Sequence, residues 1–148
     1  MDYLNSLEEP PKLARKRIRF IAAFLDYTIF MIFFYSIGYN FGDRYYVENG
    51  FGFTLNNTLA LIVFIFWIII FPVIEGLTGQ TIGKMVFKIK VTRYDYTNVR
   101  LGHSLIRHLF DFIDFFPFFG ITGLLFASNT KLKQRVGDLV AKTIVILK

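Results

Sequence analysis

Two long apolar runs dominate the pattern of hydrophobic and polar positions along the chain. The first covers residues 19–39 and the second covers residues 58–75. Each is close to the roughly 20 residues that a helix needs to cross the hydrocarbon core of a bilayer. The intervening residues 40–57 are polar and rich in glycine. The pattern therefore predicts two transmembrane helices joined as a hairpin.

A proline and an acidic residue interrupt these runs. Pro72 lies near the end of the second run and, because proline has no N–H to donate, we expect a kink or a loosened last turn there. Asp26 lies inside the first run. An aspartate at the centre of a membrane helix costs roughly 2.5–3.5 kcal/mol, so its side chain should face a partner or a water-filled cavity. Asp26 is therefore the first candidate functional residue.

The third apolar segment, residues 104–127, has an amphipathic pattern at its start. Its polar positions recur at intervals of four, four and three and share one helical face: His103, Arg107, Asp111 and Asp114. Pro117 then interrupts the helix. Two interpretations stay open, namely a re-entrant or interfacial helical pair with both ends on one side, or a full third span.

Basic residues give the expected orientation of these segments. They are frequent in residues 1–18, in residues 76–103 and in the C-terminal residues 128–148, and rare in residues 40–57. By the positive-inside rule, the N-terminal tail and residues 76–103 are cytoplasmic and residues 40–57 form an external loop. A basic C-terminal segment favours the re-entrant interpretation of the third segment.

A period of two in residues 86–92 predicts a small cytoplasmic β element. Phe87, Ile89 and Val91 alternate with more polar residues, as in a half-buried strand. A turn at residues 94–98 and a short strand at 99–101 would complete a hairpin. The β-prone residues 143–147 offer an alternative partner, but only if both segments lie on the same side of the membrane.

The overall composition supports a membrane protein. Hydrophobic residues make up 54% of the 148 residues and charged residues 19%, against about a quarter in ordinary soluble domains. The absence of cysteine excludes disulfides, thiolate metal sites and a cysteine nucleophile. The net charge of +6 comes from basic residues that flank apolar spans, so it indicates orientation in a membrane rather than nucleic-acid binding. Together these features predict an all-α membrane protein with one domain.

Arginine and aspartate recur at one spacing in two of the apolar segments. Arg19 precedes Asp26 by seven residues, and Arg107 precedes Asp114 by seven. Seven residues are about two helical turns, so each arginine shares a face with an aspartate about 10 Å away along the helix. Asp26, Asp111 and Asp114 are therefore candidates for binding an ion or a proton, with Arg19 and Arg107 as counter-charges. The alternative is that these charges only hold helices together.

Other motifs point away from enzymatic chemistry. Residues 79–84, GQTIGK, have three residues between the glycines where a phosphate-binding loop has four, and Met85 replaces the required Ser or Thr. A tight turn explains this segment. His103 and His108 are five residues apart and do not share a helical face, so they predict no metal site. We expect no enzymatic activity, no metal and no cofactor.

Four motifs in order resemble the RDD family of membrane proteins over nearly the whole chain. They are Arg19-x-x-Ala22-x-x-x-Asp26, the turn at residues 79–84, Arg107 with Asp114-x-x-Pro117, and QRVGDLVAKT at residues 134–143. The family is named for one arginine and two aspartates, which the resemblance assigns to Arg19, Asp26 and Asp138. The chain departs from the family pattern at Lys142, where a glycine often precedes the threonine.

The resemblance implies a multi-pass membrane protein, presumed to take part in transport. Cation/proton antiport has been proposed for some members and partner or assembly roles for others. Asp138 follows a glycine in a basic segment, where it would cap a short helix or bind Arg19, Arg107 or Arg135. We expect Asp138 and Arg135 to form a structural clasp rather than a catalytic site.

The leading functional hypothesis is exchange of sodium or potassium for protons across the cell membrane. The expected partners are the lipid bilayer, a monovalent cation or proton, and further copies of the chain, since one protomer has too few helices to enclose a pathway. Nucleic acid is not expected as a partner. The alternative is a membrane scaffold or assembly partner whose buried charges serve helix packing. A third interpretation is a groove between the spans that binds a lipid or a small molecule.

Overall fold

The structure is a computed structural model that describes residues 11–48, 50–111, 130 and 132–148. Its first long helix, α1, covers Lys16–Phe41 and extends beyond the predicted residues 19–39 at both ends. A second helical run covers Asn57–Thr78. Both are long and apolar enough to cross a membrane. The described part of the chain is thus mostly helical with two candidate spans, as the sequence predicts.

The second run consists of three consecutive helical segments. Helix α2 covers Asn57–Ile68, a π-helical segment covers Ile69–Val73, and α3 covers Ile74–Thr78. Pro72 lies inside the π-helical segment. Because proline removes a backbone donor from the helix interior, a regular α-helical ladder cannot continue through it. The loosened turn expected at Pro72 is therefore present.

A β-hairpin connects the two candidate spans where the sequence analysis expected only a polar loop. Strand β1 covers Asp43–Val47 and strand β2 covers Gly50–Thr54, paired antiparallel. The hairpin returns against the end of α1, since a Cβ added to Gly38 would lie only 2.0 Å from Phe53. The absence of a side chain at residue 38 therefore lets the ring of Phe53 pack directly on the helix.

The second sheet joins the middle of the chain to its C-terminus. Strand β3, Ile89–Arg93, pairs antiparallel with β4, Thr143–Leu147. The predicted local hairpin is wrong, because Asn98 forms only an isolated bridge to Thr92 and α5 begins at Leu101. The alternative pairing of residues 143–147 with the first strand is confirmed. It buries Val91 and Val145, which a two-stranded local hairpin would leave more exposed.

The N-terminal segment is attached to this sheet. Leu13 forms a bridge to Ile146, and Ala14 donates a backbone hydrogen bond of 2.9 Å to Val145. A small hydrophobic core lies between the start of α1 and the sheet, formed by Ala14, Ala22, Ile89, Val91, Val99 and Val145. The C-terminal strand therefore lies on the same side of the protein as the start of α1.

Three short helices follow the second helical run in the described part of the chain. Helix α4, Ile82–Val86, packs against α1, while α5, Leu101–Leu109, packs across the π-helical segment and α3. Helix α6, Val136–Val140, packs against α5. Asp114 and most of the predicted third apolar segment, residues 112–129, lie outside the described residues. Whether that segment crosses the membrane or is re-entrant stays a prediction.

Candidate functional site: a buried charge cluster

Asp138 binds the side chains of two arginines. Nη1 of Arg107 donates to Oδ1 of Asp138 at 2.5 Å, and Arg19 forms an ion pair with Oδ2. Oδ2 also accepts the backbone N–H of Arg135 at 3.0 Å, which caps the start of α6. Arg107 and Asp138 are each 1% exposed. Asp138 thus joins the beginning of α1, helix α5 and the C-terminal helix α6.

The close approach of α5 and α6 depends on a glycine. A Cβ added to Gly137 would lie 2.7 Å from the carbonyl oxygen of Arg107. Only a residue without a side chain fits that contact, and it places the next residue, Asp138, beside the Arg107 guanidinium. In the C-terminal motif, the glycine therefore permits the close packing that brings the following aspartate to Arg107.

Glu75 is the second carboxylate of the cluster, and the sequence analysis treated it only as the end of the second apolar run. It is fully buried in α3. Nε of Arg107 donates to Oε1 of Glu75 at 2.9 Å, and Lys84 forms an ion pair with Oε2. Ser104 donates to Oε1 at 3.2 Å. Arg107 therefore bridges Glu75 and Asp138 through two different nitrogens.

The charged groups in this cluster shift one another's pKa values. Burial alone would raise the pKa of Asp138, but Arg107 and Arg19 outweigh it and hold that pKa well below its usual range. Burial lowers the pKa of Lys84, and the neighbouring Glu75 opposes this effect only in part. The two arginines thus favour the ionised form of Asp138.

Asp26 has different partners from those that the helical spacing suggested. It is 2% exposed, and Oδ2 accepts the hydroxyl of Thr81 at 2.5 Å while Oδ1 accepts the backbone N–H of Gly83 at 2.7 Å. The expected counter-charges Arg19 and Arg107 bind Asp138 instead. The turn that the sequence analysis considered ordinary therefore supplies both of these hydrogen bonds to the buried acid.

Asp111 lies in a third part of the site, next to a histidine that the sequence analysis considered only as a metal ligand. Nδ1 of His108 lies 2.6 Å from Oδ2 of Asp111, and the hydroxyl of Tyr27 donates to the same oxygen at 3.2 Å. Nη1 of Arg135 lies 3.4 Å from Oδ1 of Asp111. The imidazole packs edge-on against Phe71. Asp111 is thus bound by residues from α1, α5 and the start of α6.

Not every residue of the predicted polar face reaches the cluster. His103 accepts the backbone N–H of Arg100 at 3.3 Å and caps the start of α5, away from the buried charges. Asp114 lies outside the described residues, so its part in the site stays a prediction. Within the described ranges, no group of three or more His, Asp or Glu residues has the arrangement of a metal site.

The carboxylates therefore differ in what they can do chemically. Glu75 and Asp138 are paired directly with guanidinium groups, which strongly favours the ionised form and a fixed geometry. The partners of Asp26 are a hydroxyl and an amide, which hydrogen-bond a carboxylate without supplying a full positive charge.

These features define a class: a small helical protein with two helices long and apolar enough to cross a membrane, whose distant segments are joined by buried ion pairs. The chain belongs to the RDD family, a membrane-associated family whose sequence profile matches residues 13–142. The matched range contains Arg19, Asp26 and Asp138. No curated protein and no solved structure matches the chain.

Proposed function

We propose that this protein is a multi-pass protein of the cell membrane that exchanges a monovalent cation for protons, with Asp26 as the exchanging carboxylate. The observation that carries the proposal is the environment of Asp26. The side chain is buried in an apolar helix and is hydrogen-bonded by Thr81 and Gly83, both of which are uncharged donors. Ionisable groups inside membrane helices commonly mark ion or proton pathways.

The neighbouring ion pairs support this assignment by contrast. Arg19 and Arg107, which are the arginines of the sequence motifs, both form ion pairs with Asp138. A carboxylate that must release and rebind a cation cannot be held permanently by a guanidinium group, because the ion pair would compete with the cation. Asp26 meets this requirement better than Glu75 or Asp138.

The contacts between the termini support a single orientation. Backbone hydrogen bonds join Ala14 to Val145 and Leu147 to Lys12, so the basic N-terminal and C-terminal segments share one side. Asp111 and Arg135, which flank the segment outside the described residues, are in contact at 3.4 Å. We assign that side to the cytoplasm by the positive-inside rule, and the hairpin of β1 and β2 to the outside.

Everted membrane vesicles test the exchange activity. We expect Asp26→Asn to abolish proton movement driven by sodium or potassium, because asparagine cannot change charge. The matched control is Asp95→Asn, which removes an exposed carboxylate that contacts Arg93 and the neighbouring Thr97 in a surface turn, and it should retain activity. Exchange by Asp26→Asn at the control rate would overturn the proposal. Equal amounts of both variants in the membrane show that a loss is not a failure to fold.

We further propose that a pathway forms between copies of the chain. The described residues contain two candidate spans, which are too few to surround an ion pathway. The mass of the protein in mild detergent should therefore correspond to a dimer or a larger homo-oligomer. A monomer that retains exchange activity in reconstituted vesicles would contradict this part of the proposal.

The second candidate function is a membrane scaffold or assembly partner. It is favoured by the cluster of Arg107, Glu75 and Asp138, whose buried ion pairs suit a rigid architecture. Purification in gentle detergent distinguishes the two functions. An unrelated protein present in a fixed stoichiometry, together with unchanged exchange in Asp26→Asn, would support the scaffold.

A further inference from the structure

His108 lies between two buried carboxylates, one on each side of its ring. Nδ1 lies 2.6 Å from Oδ2 of Asp111, two residues beyond the end of α5, and Nε2 lies 3.5 Å from Oε1 of Glu75 in α3. The side chain is 4% exposed. Among the described residues, Nε2 has no hydrogen-bond partner within bonding geometry. A buried ring nitrogen that is left unpaired beside a carboxylate requires an explanation.

The charge of Asp111 determines which ring nitrogen carries the proton in neutral His108. An ionised carboxylate can only accept hydrogen bonds, so the short contact to Asp111 places the N–H at Nδ1. Nε2 then carries a lone pair that faces the carboxylate of Glu75. Two acceptors facing each other repel, and a proton between them would convert this repulsion into a hydrogen bond.

We propose that His108 is a proton-binding site, in which a proton taken from water binds Nε2 and the resulting imidazolium bridges Asp111 and Glu75. The step adds one proton and one positive charge to the ring, and deprotonation returns the same proton to water. No covalent bond between heavy atoms forms or breaks. In the protonated form both ring nitrogens donate, one to each carboxylate.

The groups that face this site from each neighbouring element determine its charge balance. Glu75 from α3 also binds Arg107 and Lys84, so part of its charge is already compensated. Asp111 is contacted by the Tyr27 hydroxyl from α1 and by Arg135 at the start of α6. The π-helical segment contributes only apolar contact, through Phe71.

The carboxylates outweigh the cost of burying a charged ring. Burial alone would lower the pKa of His108, but Asp111 and Glu75 together raise it above its ordinary value near 6.5. The protonated form therefore predominates at pH values below that raised pKa and is lost as the pH rises through it. The pair of carboxylates thus favours the imidazolium form of His108 over the neutral form.

This site deepens the proposed function and its role in exchange rests on that proposal. Protonation would add a positive charge to the cluster that includes Lys84, and the segment from Thr81 to Lys84 is the one that binds Asp26. A proton on His108 would therefore act through Glu75 and Lys84 on the turn that holds Asp26. His108 is a positioning residue in this scheme, not a group that contacts the cation.

The only tryptophan of the chain reports directly on His108. The ring of Trp67 lies edge-on to the imidazole, with 6.5 Å between ring centroids. A protonated imidazole quenches indole fluorescence more strongly than a neutral one at such a distance. We expect the Trp67 emission of the full-length protein in detergent to increase through one transition, with a midpoint above pH 6.5.

Two histidine variants test the assignment, because the chain contains only His103 and His108. His108→Gln should abolish the transition and keep the emission of the unprotonated state, whereas His103→Gln should leave the transition unchanged. A transition that persists in His108→Gln, or is missing from the wild type, would overturn the proposal. If His108→Gln does not fold, the midpoint of the fluorescence transition in Asp111→Asn is compared with the midpoint in His103→Gln. Removal of the Asp111 charge should move the midpoint to lower pH, and this comparison then decides.

The same variants separate this inference from the exchange activity. Loss of the fluorescence transition together with a changed pH profile of exchange supports coupling between His108 and Asp26. A lost transition with an unchanged pH profile removes the coupling and leaves the proton site in place. If Asp26→Asn retains exchange while Trp67 still titrates, the proposed function fails and the proton site at His108 stands.

Discussion

Arg107 and Asp138 are separated by 31 residues along the chain and form a buried ion pair, with Nη1 of Arg107 2.5 Å from Oδ1 of Asp138. The same guanidinium binds Glu75 through Nε at 2.9 Å. One arginine thus links the end of the second candidate span to the C-terminal segment. This contact makes the C-terminal motif part of the helical core rather than an appended tail.

Removal of the Asp138 charge should strongly destabilise the protein. In Asp138→Asn, Arg19 loses its carboxylate partner and Arg107 keeps only Glu75, and breaking a buried pair in this way costs about 3–5 kcal/mol. Denaturant unfolding in detergent measures the free-energy difference. Asp95→Asn is the control, since an ion pair exposed to water is screened by solvent and contributes little to stability. Equal stability of the two variants would contradict the structural role of Asp138.

The contribution of Asp138 should depend on pH in the acid range. Its pKa is lower in the folded state than in the unfolded state, so the stabilisation is complete above the unfolded value near 3.8 and decreases as the pH falls towards the folded value. Thermal unfolding between pH 3 and pH 7 measures this effect. The difference between wild type and Asp138→Asn should be constant above about pH 5 and shrink below about pH 4. A difference that grows on acidification would show that the sign is wrong.

Gly83 should be intolerant of a side chain. A Cβ at this position would lie 2.2 Å from the carbonyl oxygen of Ala22, a backbone atom of α1 that cannot move independently. We expect Gly83→Ala to push α4 away from α1, to weaken the hydrogen bond to Asp26, and to cost about 1–3 kcal/mol as overpacking does.

The matched control for this substitution is Gly102→Ala. Gly102 lies in α5, and a Cβ there would meet nothing within 4 Å. Alanine in an open helical position should stabilise the protein by about 0.5–1 kcal/mol relative to glycine. Thermal unfolding of the two variants under the same conditions should therefore shift in opposite directions, and a parallel shift would show that α4 does not contact α1 closely.

Lys142→Gly should stabilise the protein. Lys142 follows α6 with φ of 53°, a left-handed conformation that costs a non-glycine residue roughly 1–2 kcal/mol. Part of that gain is lost to the greater freedom of glycine in the unfolded chain, so we expect a net increase of about 0.5–1 kcal/mol. Lys142→Ala keeps the strain and is the control.

Part of the fold could be predicted from local sequence alone. The candidate spans follow from uninterrupted apolar runs, and the loosened turn follows from the missing N–H of Pro72, which are both properties of neighbouring residues. The β3 strand was found by its alternation, but two partners stayed open for it, because the alternation of β3 does not specify which segment pairs with it. Burial of Val91 against Val145 decided in favour of the distant C-terminal strand.

The sequence identified charged residues of the site but not the partners of Asp26, and it left several partners open for Asp138. Asp26, Arg107, Asp111 and Asp138 were recognised as candidates, while Glu75 and His108 were missed in this role. The one available signal for Glu75 was an acidic residue at the end of an apolar run, which equally describes an ordinary helix end. A polar face on one helix shows which residues point the same way, but not which element lies opposite them.

By itself, the sequence determined that this is a helical chain with two membrane-length apolar segments and an acidic residue, Asp26, inside the first. These are local properties, because the cost of exposing a charge to an apolar environment depends on the residues immediately around it. Only the tertiary structure decided that Asp26 is bound by Thr81 and Gly83 while Asp138 engages both arginines. The physical reason is that ion pairs form between whichever opposite charges packing brings within a few ångströms, whatever their separation along the chain.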